Sequence, residues 1–257
     1  MEFIKEHIMQ GNFIIAAAQF SPVSGNVEEN TRMHQRLISA AASEKANAII
    51  FPELSLTGYE HDLAKELAFT DADTRLEPFR ILAREYNITI IVGAPVNTEG
   101  NKPQIGIFVV SPDTPVFQYS KIYLHPGEDK FFTPGSDVKV FQCHGQSLGL
   151  AICADTGVAA HAHNTATMGA SAYLSSVLIT EGGYYDDTAK LQNYAKKYGM
   201  AVVMANYSGL SGGFNAIGKS AIWDENGRLI IEAPEAGACV VIAKLRSTNP
   251  APKVIHI

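Results

Sequence analysis

The chain has 257 residues, 46% of them hydrophobic, and carries a formal net charge of −6 at pH 7. This apolar content excludes a disordered chain, and the length allows one large α/β domain or two small ones. The absence of any lysine and arginine run argues against a nucleic-acid partner. No stretch approaches the ~18 apolar residues that a membrane-spanning helix needs.

Three cysteines, Cys143, Cys153 and Cys239, are too few and odd in number for a disulfide framework. This usage fits a reducing compartment, and the first residues lack the apolar segment of a secretory signal, so a cytoplasmic location is predicted. No linker, charge block or repeat divides the chain. Residues 12–257 are therefore predicted to form a single domain, with residues 1–11 as an N-terminal extension.

Along the chain, short apolar runs alternate with amphipathic stretches. The predicted strands are 13–20, 48–51, 88–94, 105–110, 116–120, 148–153, 172–179, 201–206, 219–224, 228–233 and 238–245. Helices are predicted over 26–46, 74–87 and 184–199, with a weakly amphipathic segment over 157–169. Asn26 is expected to cap the first helix and Gly199 to end the last. Strand–helix–strand units beside hairpins indicate mixed sheets with helices packed outside them.

Residues 213–220, GFNAIGKS, match the phosphate-loop pattern G-x-x-x-x-G-K-[ST]. That loop binds phosphate where a helix begins directly after it, because the helix N-terminus supplies N–H donors. Here the next residues, AIWDENGRLIIEA, predict a strand, an Asn-Gly turn and a second strand. A nucleotide-binding protein therefore stays a disfavoured alternative from another functional class.

Three reactive side chains stand where predicted strands end. Glu53 follows a buried strand and a proline in IIFPELSLTGYE, Lys121 ends a strand in YSKIYLHPGE, and Cys153 ends the strand of LGLAICAD. Each has an ordinary structural explanation when taken alone. Glu53 could be an exposed loop acid and Lys121 a solvated lysine at a sheet edge, and a free cysteine is among the most buried residue types. Together they supply a general base, a cation and a nucleophile. Glu128, in the loop after Lys121, adds a second carboxylate.

These segments resemble the motifs of the nitrilase, or carbon–nitrogen hydrolase, superfamily, and the resemblance covers nearly the whole chain. FPELSLTGY is similar to its glutamate motif, YSKIYLHPGE with FFTPG to its lysine motif, LGLAICAD to its cysteine turn, and MANYSG and IGKSAIWDENG to downstream segments. The resemblance implies an α/β fold: a four-layer α-β-β-α sandwich with two mixed sheets. It also implies a homodimer or larger homo-oligomer, and no metal or organic cofactor.

The resemblance further implies a role for each residue of the site. Cys153 is the nucleophile, Glu53 the general base, and Lys121 with the backbone N–H of Ala154 stabilises the oxyanion. Glu128 orients the lysine and borders the substrate. Candidate substrate-binding residues are Tyr59, Tyr123 and Asn206. Cys143 and Cys239 are expected to be structural thiols.

The chain departs from the family pattern after the cysteine. Ala154 stands where an aromatic, acidic or small polar residue is usual, and Asp155 is expected to be structural. The next segment contains His161 and His163 instead of an Arg-Phe-Pro-Glu type of sequence. A metal site at this His-x-His is not predicted, because no third ligand stands at a suggestive spacing.

The predicted reaction is hydrolysis of a small linear amide to an acid and ammonia through a cysteine acyl-enzyme. The family's true nitrilases usually carry Trp and Glu after the cysteine, whereas this chain carries Ala154 and Asp155. The open alternatives are a nitrilase, an N-carbamoyl amine amidohydrolase and an acyltransferase. A non-catalytic member is disfavoured because Glu53, Lys121, Glu128 and Cys153 are all present.

Overall fold

The structure, a computed structural model, describes residues 13–247 and 249–257. The predicted N-terminal extension over residues 1–11 therefore lies outside the described residues. In chain order the elements are β1 (Ile14–Gln19), α1 (Val27–Ser43), β2 (Ala48–Ile50), α2 (Glu77–Tyr86), β3 (Thr89–Val96), β4 (Gln104–Val110), β5 (Phe117–Ser120), β6 (Val140–Cys143), β7 (Gln146–Ile152), α3 (Ala159–Thr167), β8 (Ala172–Val177), α4 (Glu181–Tyr198), β9 (Ala201–Asn206), β10 (Ser208–Ser211), β11 (Phe214–Ile217), β12 (Ala221–Trp223), β13 (Leu229–Glu232), β14 (Cys239–Lys244) and β15 (Lys253–His256).

The strands form two large mixed sheets and a separate hairpin. The first sheet has the order β15-β14-β1-β2-β3-β4-β5, with β1, β2 and β3 parallel and the other neighbours antiparallel. The second sheet has the order β13-β12-β9-β8-β7-β6, with β7, β8 and β9 parallel. The hairpin consists of β10 and β11. The C-terminal ends of β2 and β7, where Glu53 and Cys153 follow, thus lie in different sheets.

Strand alternation places one face of each sheet in a shared central core. In β1, Ile15 and Ala17 belong to the core between the sheets, whereas Ala16 and Ala18 belong to the cluster that includes Leu37 of α1. Helices α3 and α4 cover the outer face of the second sheet through a cluster that includes Ala162, Leu191, Tyr194, Tyr173 and Val202. The layers are therefore helix, sheet, sheet, helix, which confirms the predicted four-layer sandwich.

The helix ends agree with the sequence signals. Asn26 caps α1, its side chain accepting a hydrogen bond from Glu29 N at 3.1 Å. Gly199 ends α4 with a φ of 64°, a left-handed conformation that glycine adopts at little cost. Helix α4 begins at Glu181, three residues before the predicted start. None of the helices in the described part of the chain is long and apolar enough to cross a membrane.

Strands β6, β10, β11 and β15 were missed by the sequence analysis. Each is four residues long and mixes polar with apolar side chains, so no sustained apolar run marks it. Strand β11 occupies the middle of GFNAIGKS, and β12 follows it from Ala221. A phosphate loop requires a helix to begin directly after the motif. Here a strand follows instead, so the geometry of a phosphate loop is not present at these described residues.

Candidate active site

Glu53 lies in a tight turn that packs on β3. Leu56 N donates to Gly93 O at 2.9 Å, which fastens the turn to this strand. A Cβ on Gly93 would meet the backbone nitrogen of Leu54 at 2.5 Å, so the close approach requires glycine. The Tyr207 hydroxyl donates to the backbone carbonyl of Glu53. Since Tyr207 follows β9, both sheets hold the backbone of this residue.

Lys121, directly after β5, is fully buried between two carboxylates. Its Nζ donates to Glu53 Oε1 at 2.7 Å and to Glu128 Oε1 at 2.8 Å. Glu128 Oε1 also accepts from the Tyr59 hydroxyl, and its Oε2 accepts from His125 N at 2.7 Å. The structure thus brings the two predicted glutamates, the lysine and Tyr59 into one hydrogen-bonded group.

Cys153 begins a short 3-10 turn at the end of β7, and Ala154 follows it in that turn. Its φ of 41° lies in the left-handed region, which non-glycine residues rarely adopt and which is enriched at functional sites. The side chain is partly exposed, and its Sγ lies 3.8 Å from the carbonyl oxygen of Leu178. The turn therefore presents the thiol at the end of the strand rather than within the core.

Burial and the neighbouring charges shift the pKa values of Glu53, Lys121 and Cys153. Burial raises the pKa of Glu53 to about 7; Lys121 opposes this rise and Glu128 adds to it. Burial also raises the pKa of the Cys153 thiol; Glu53 adds to this increase and Lys121 opposes it. Burial lowers the pKa of Lys121, but the neighbouring acidic groups outweigh it and hold the pKa above its ordinary value. Near neutral pH Glu53 is therefore partly ionised beside a protonated thiol and an ammonium, and it can exchange a proton in either direction.

Glu53 and Cys153 line one cavity of about 190 Å³. The other lining residues are Tyr59, His125, Leu178, Ile179, Thr180, Gly183, Asp187 and Phe214. Leu178 and Ile179 could have been found from the sequence, because they follow β8, which runs parallel to β7 and ends at the same edge. Asp187 of α4 and Phe214 of β11 gave no such signal, because both elements reach the cavity from elsewhere in the fold.

Two predicted substrate-binding residues do not line this cavity. Asn206 is fully buried: its Oδ1 accepts from Ile179 N at 2.8 Å, and its Nδ2 donates to the carbonyl oxygens of Ile179 and Gly218. Its amide thus holds the backbone of Ile179 and has no group directed at a ligand. Tyr123 is 36% exposed, and its backbone N–H donates to Asp155 Oδ1 at 2.9 Å. A substrate contact is therefore not supported for either residue.

The remaining candidates have structural surroundings. His161 is buried between the hydroxyls of Tyr119 and Tyr173, each 2.8 Å from a ring nitrogen, whereas His163 is exposed. No group of three or more His, Cys, Asp or Glu side chains in the described residues could hold a metal ion. Cys143 and Cys239 are buried, and burial raises the pKa of each thiol to about 11.

The four-layer sandwich is the fold that the resemblance implies, and Glu53, Lys121 and Cys153 lie at or near the ends of its strands. Residues 14–249 match the family model described as "Carbon-nitrogen hydrolase", and the chain belongs to this family.

Curated relatives of this chain carry different activities in their names. A glutamine-dependent NAD(+) synthetase of Acinetobacter baylyi is 26% identical over 87% of this chain and 42% of its own length. The chain thus spans about two fifths of that relative. A nitrilase of Pyrococcus abyssi is 26% identical over 90% of this chain and 88% of its own length. The relatives therefore support carbon–nitrogen hydrolase chemistry without identifying one substrate.

The amidase from Nesterenkonia sp. AN1 shares the fold. Its cysteine-to-alanine mutant in complex with butyramide superposes with a TM-score of 0.82 at 20% identity, covering 91% of each chain. A further structure of that amidase shows covalent addition of the acetamide moiety of fluoroacetamide at the active site cysteine, also with a TM-score of 0.82. At this identity the similarity establishes the architecture.

Proposed function

We propose that the protein hydrolyses a small linear amide to a carboxylic acid and ammonia through an acyl-enzyme on Cys153. The observation that carries this proposal is the contact of Lys121 with Glu53, which leaves Glu53 Oε2 buried without a hydrogen-bond partner among the described residues. Because Glu53 and Cys153 line the same cavity, this carboxylate can accept the thiol proton. Lys121 does not itself line the cavity, but its ammonium contacts Glu53, and in this proposal it supplies the positive charge for the developing oxyanion.

The first half of the reaction forms a thioester. Glu53 takes the proton of the Cys153 thiol, and the sulfur attacks the amide carbon, so that the carbonyl electron pair moves to oxygen. Lys121 and the Ala154 N–H stabilise this oxyanion. The intermediate collapses, the C–N bond breaks, and Glu53 returns its proton to the departing nitrogen, which leaves as ammonia.

The second half consumes one water molecule. Glu53 removes a proton from the water, whose oxygen attacks the thioester carbon. The C–S bond breaks, the acid leaves, and Cys153 sulfur recovers its proton from Glu53. The net change is amide plus water to acid plus ammonia, with the enzyme restored. Throughout both halves Glu128 holds Lys121 in place, and the Tyr59 hydroxyl holds Glu128.

The size of the cavity favours a substrate with a short acyl chain. Its volume of about 190 Å³ has room for roughly six water-sized groups at ~30 Å³ each, close to the size of butyramide. Leu178, Ile179 and Phe214 provide apolar contacts for such a chain. The amidase structure with butyramide supports the same substrate class by analogy of fold. A cytoplasmic location, where thiols stay reduced, and assembly into homo-oligomers belong to this proposal as well.

The test is ammonia release from paired panels of C2 to C6 amides, N-carbamoyl amines and the corresponding nitriles. We expect kcat/KM to be highest for an amide, and mass spectrometry of the quenched reaction to find the acyl group on Cys153. The Cys153→Ala variant is the control for background hydrolysis. A nitrile with kcat/KM tenfold above that of its amide, equal to ~1.4 kcal/mol in transition-state preference, would reverse the assignment.

A further inference from the structure

A buried polar cluster next to the Cys153 turn takes no part in the proposed chemistry. It consists of Asp155, Tyr119, His161 and Tyr173, each at most 2% exposed, and none of them lines the cavity. Burying a carboxylate and an imidazole is costly unless their hydrogen bonds are satisfied. The directions of these hydrogen bonds therefore indicate what the cluster does.

One oxygen of Asp155 holds the segment that carries the lysine. Its Oδ1 accepts from Ile122 N at 3.0 Å and from Tyr123 N at 2.9 Å. These are the two residues directly after Lys121. The backbone leaving the lysine is thus fastened to the carboxylate by two directional bonds.

The other oxygen holds the segment that carries the cysteine. Asp155 Oδ2 accepts from the backbone N–H of Ile152, the residue before Cys153, at 2.9 Å, and from the Tyr119 hydroxyl at 2.6 Å. Tyr119 belongs to β5 in the first sheet, whereas Ile152 ends β7 in the second. A single carboxylate therefore joins the two sheets, through bonds to the segments that carry Lys121 and Cys153.

The hydrogen bonds of His161 orient the Tyr119 hydroxyl, which in turn contacts this carboxylate. Because Tyr119 donates its hydroxyl proton to Asp155, its oxygen accepts from His161 Nε2–H at 2.8 Å. The Nδ1 atom is then an acceptor, and the Tyr173 hydroxyl donates to it at 2.8 Å. Burial lowers the pKa of His161, which favours the neutral ring that this order of donors requires.

We propose that Asp155, oriented by Tyr119 and His161, is a positioning residue that sets the distance between Lys121 and Cys153. The inference rests on the proposed roles of those two residues. Apolar packing between the sheets is non-directional, so it cannot by itself fix the lysine relative to the thiol. Four directional hydrogen bonds to one carboxylate can fix this relative position. Such precision matters because a misplacement of about 1 Å in an active site can lower the rate ~100-fold.

The experiment compares two matched variants, Tyr119→Phe and Tyr173→Phe. Each removes one buried hydroxyl bonded to His161, but only Tyr119 also contacts Asp155. We expect kcat to fall ~10-fold in Tyr119→Phe and to stay within about twofold in Tyr173→Phe, with KM changing little in either. Melting temperatures are measured alongside. Asp155→Asn is expected to lower kcat ~100-fold, because an amide donates where the carboxylate accepted.

A second measurement needs no amide turnover. The rate of Cys153 alkylation by iodoacetamide is followed against pH. Because Lys121 opposes the rise in the pKa of the thiol, displacing the lysine is expected to shift the pH dependence of alkylation to higher pH in Tyr119→Phe and to leave it unchanged in Tyr173→Phe. If the amidase assignment is wrong, neither the wild type nor any variant will hydrolyse the amides. The difference in Cys153 alkylation between Tyr119→Phe and Tyr173→Phe would still be observed.

The inference is overturned if Tyr119→Phe and Tyr173→Phe change kcat equally and shift the pH dependence of Cys153 alkylation equally. It is also overturned if a folded Asp155→Asn keeps its kcat within twofold of wild type. Should Asp155→Asn fail to fold, the comparison of the two tyrosine variants still decides, because each loses only one hydroxyl oxygen.

Discussion

The Lys121 ammonium lies 2.7 Å from Glu53 Oε1, and neither side chain has any exposure to solvent. A second carboxylate, Glu128, lies 2.8 Å from the same nitrogen. Desolvating these charges opposes much of their attraction, so an arrangement of this kind is weak evidence for stability. A catalytic role explains this buried arrangement better than stability does, because a buried ammonium near a cavity can stabilise negative charge that develops on a substrate.

Replacing this ammonium is expected to remove catalysis. Lys121→Met deletes the charge and donor proposed for the oxyanion, and losing one such donor typically lowers the rate ~100- to 1,000-fold. Steady-state ammonia release measures the loss, and circular dichroism checks the fold. Lys253→Met is the control, because Lys253 forms an ion pair with Glu44 in which its side chain is 49% exposed. Near-normal turnover by Lys121→Met would leave the lysine without its proposed role.

The activity is expected to rise with pH through a midpoint near 7. Glu53 must be ionised to accept a proton, and burial raises its pKa to about 7. Glu53→Gln removes the base and is expected to lower kcat/KM ~100-fold or more. Glu44→Gln, at the exposed ion pair with Lys253, is the matched control. If the wild-type activity instead rises with a midpoint below pH 5, this result would contradict the role of Glu53.

The same shift predicts the direction of a stability change. The folded state keeps a proton on Glu53 between the ordinary value of 4.5 and about 7, while the unfolded state has lost it. This contribution is complete below about pH 4.5 and is lost as the pH rises through 7. Urea unfolding at pH 5 and pH 8 should therefore show a smaller loss of stability in Glu53→Gln than in the wild type. Equal losses in the two proteins would argue against the raised pKa.

Cys153 is expected to react with iodoacetamide before the other two cysteines. It is partly exposed and shares the cavity with Glu53, whereas Cys143 and Cys239 are buried. Burial raises the pKa of all three thiols, so access to the reagent and the neighbouring base, rather than thiol acidity, predict this order. Peptide mapping after one equivalent of reagent measures the order. Cys153→Ala should lose the fast phase and keep its melting temperature, while Cys143→Ala keeps the fast phase. Faster labelling of Cys143 or Cys239 would exclude the assignment.

The cavity is expected to disfavour anionic amides. Asp187 lines it, and among the residues that the structure describes no Lys or Arg does so. Lys190 Nζ lies 2.9 Å from Asp187 Oδ1 and screens part of its charge. A penalty of about 1 kcal/mol at this partly screened site corresponds to roughly fivefold in kcat/KM for succinamate relative to butyramide.

Two variants test this charge effect in opposite directions. Asp187→Asn should raise the ratio of kcat/KM for succinamate over butyramide, because it removes the repulsion. Lys190→Gln should lower the same ratio, because it leaves Asp187 without its cation. An unchanged ratio in both variants would show that Asp187 does not select substrate charge.

Much of the site could be predicted from the sequence because its chemistry is local. Glu53, Lys121 and Cys153 each directly follow a strand or lie within a few residues of its end, so the local pattern of an apolar run followed by a reactive side chain marks all three. Strong apolar runs likewise marked the central strands of both sheets, and Asn26 and Gly199 marked helix ends through their own backbone preferences.

Which residues line the cavity, and which contacts join the two sheets, depends on how the sheets pack, and only the tertiary structure shows this. Asn206 follows a strand-end pattern like that of the reactive residues, yet its amide is occupied by the backbone of Ile179 and Gly218. Asp187 and Phe214 reach the cavity from elements distant in sequence. The bonds of Asp155 to both sheets exist because packing of the central core sets their separation, and no local pattern of residues encodes that distance.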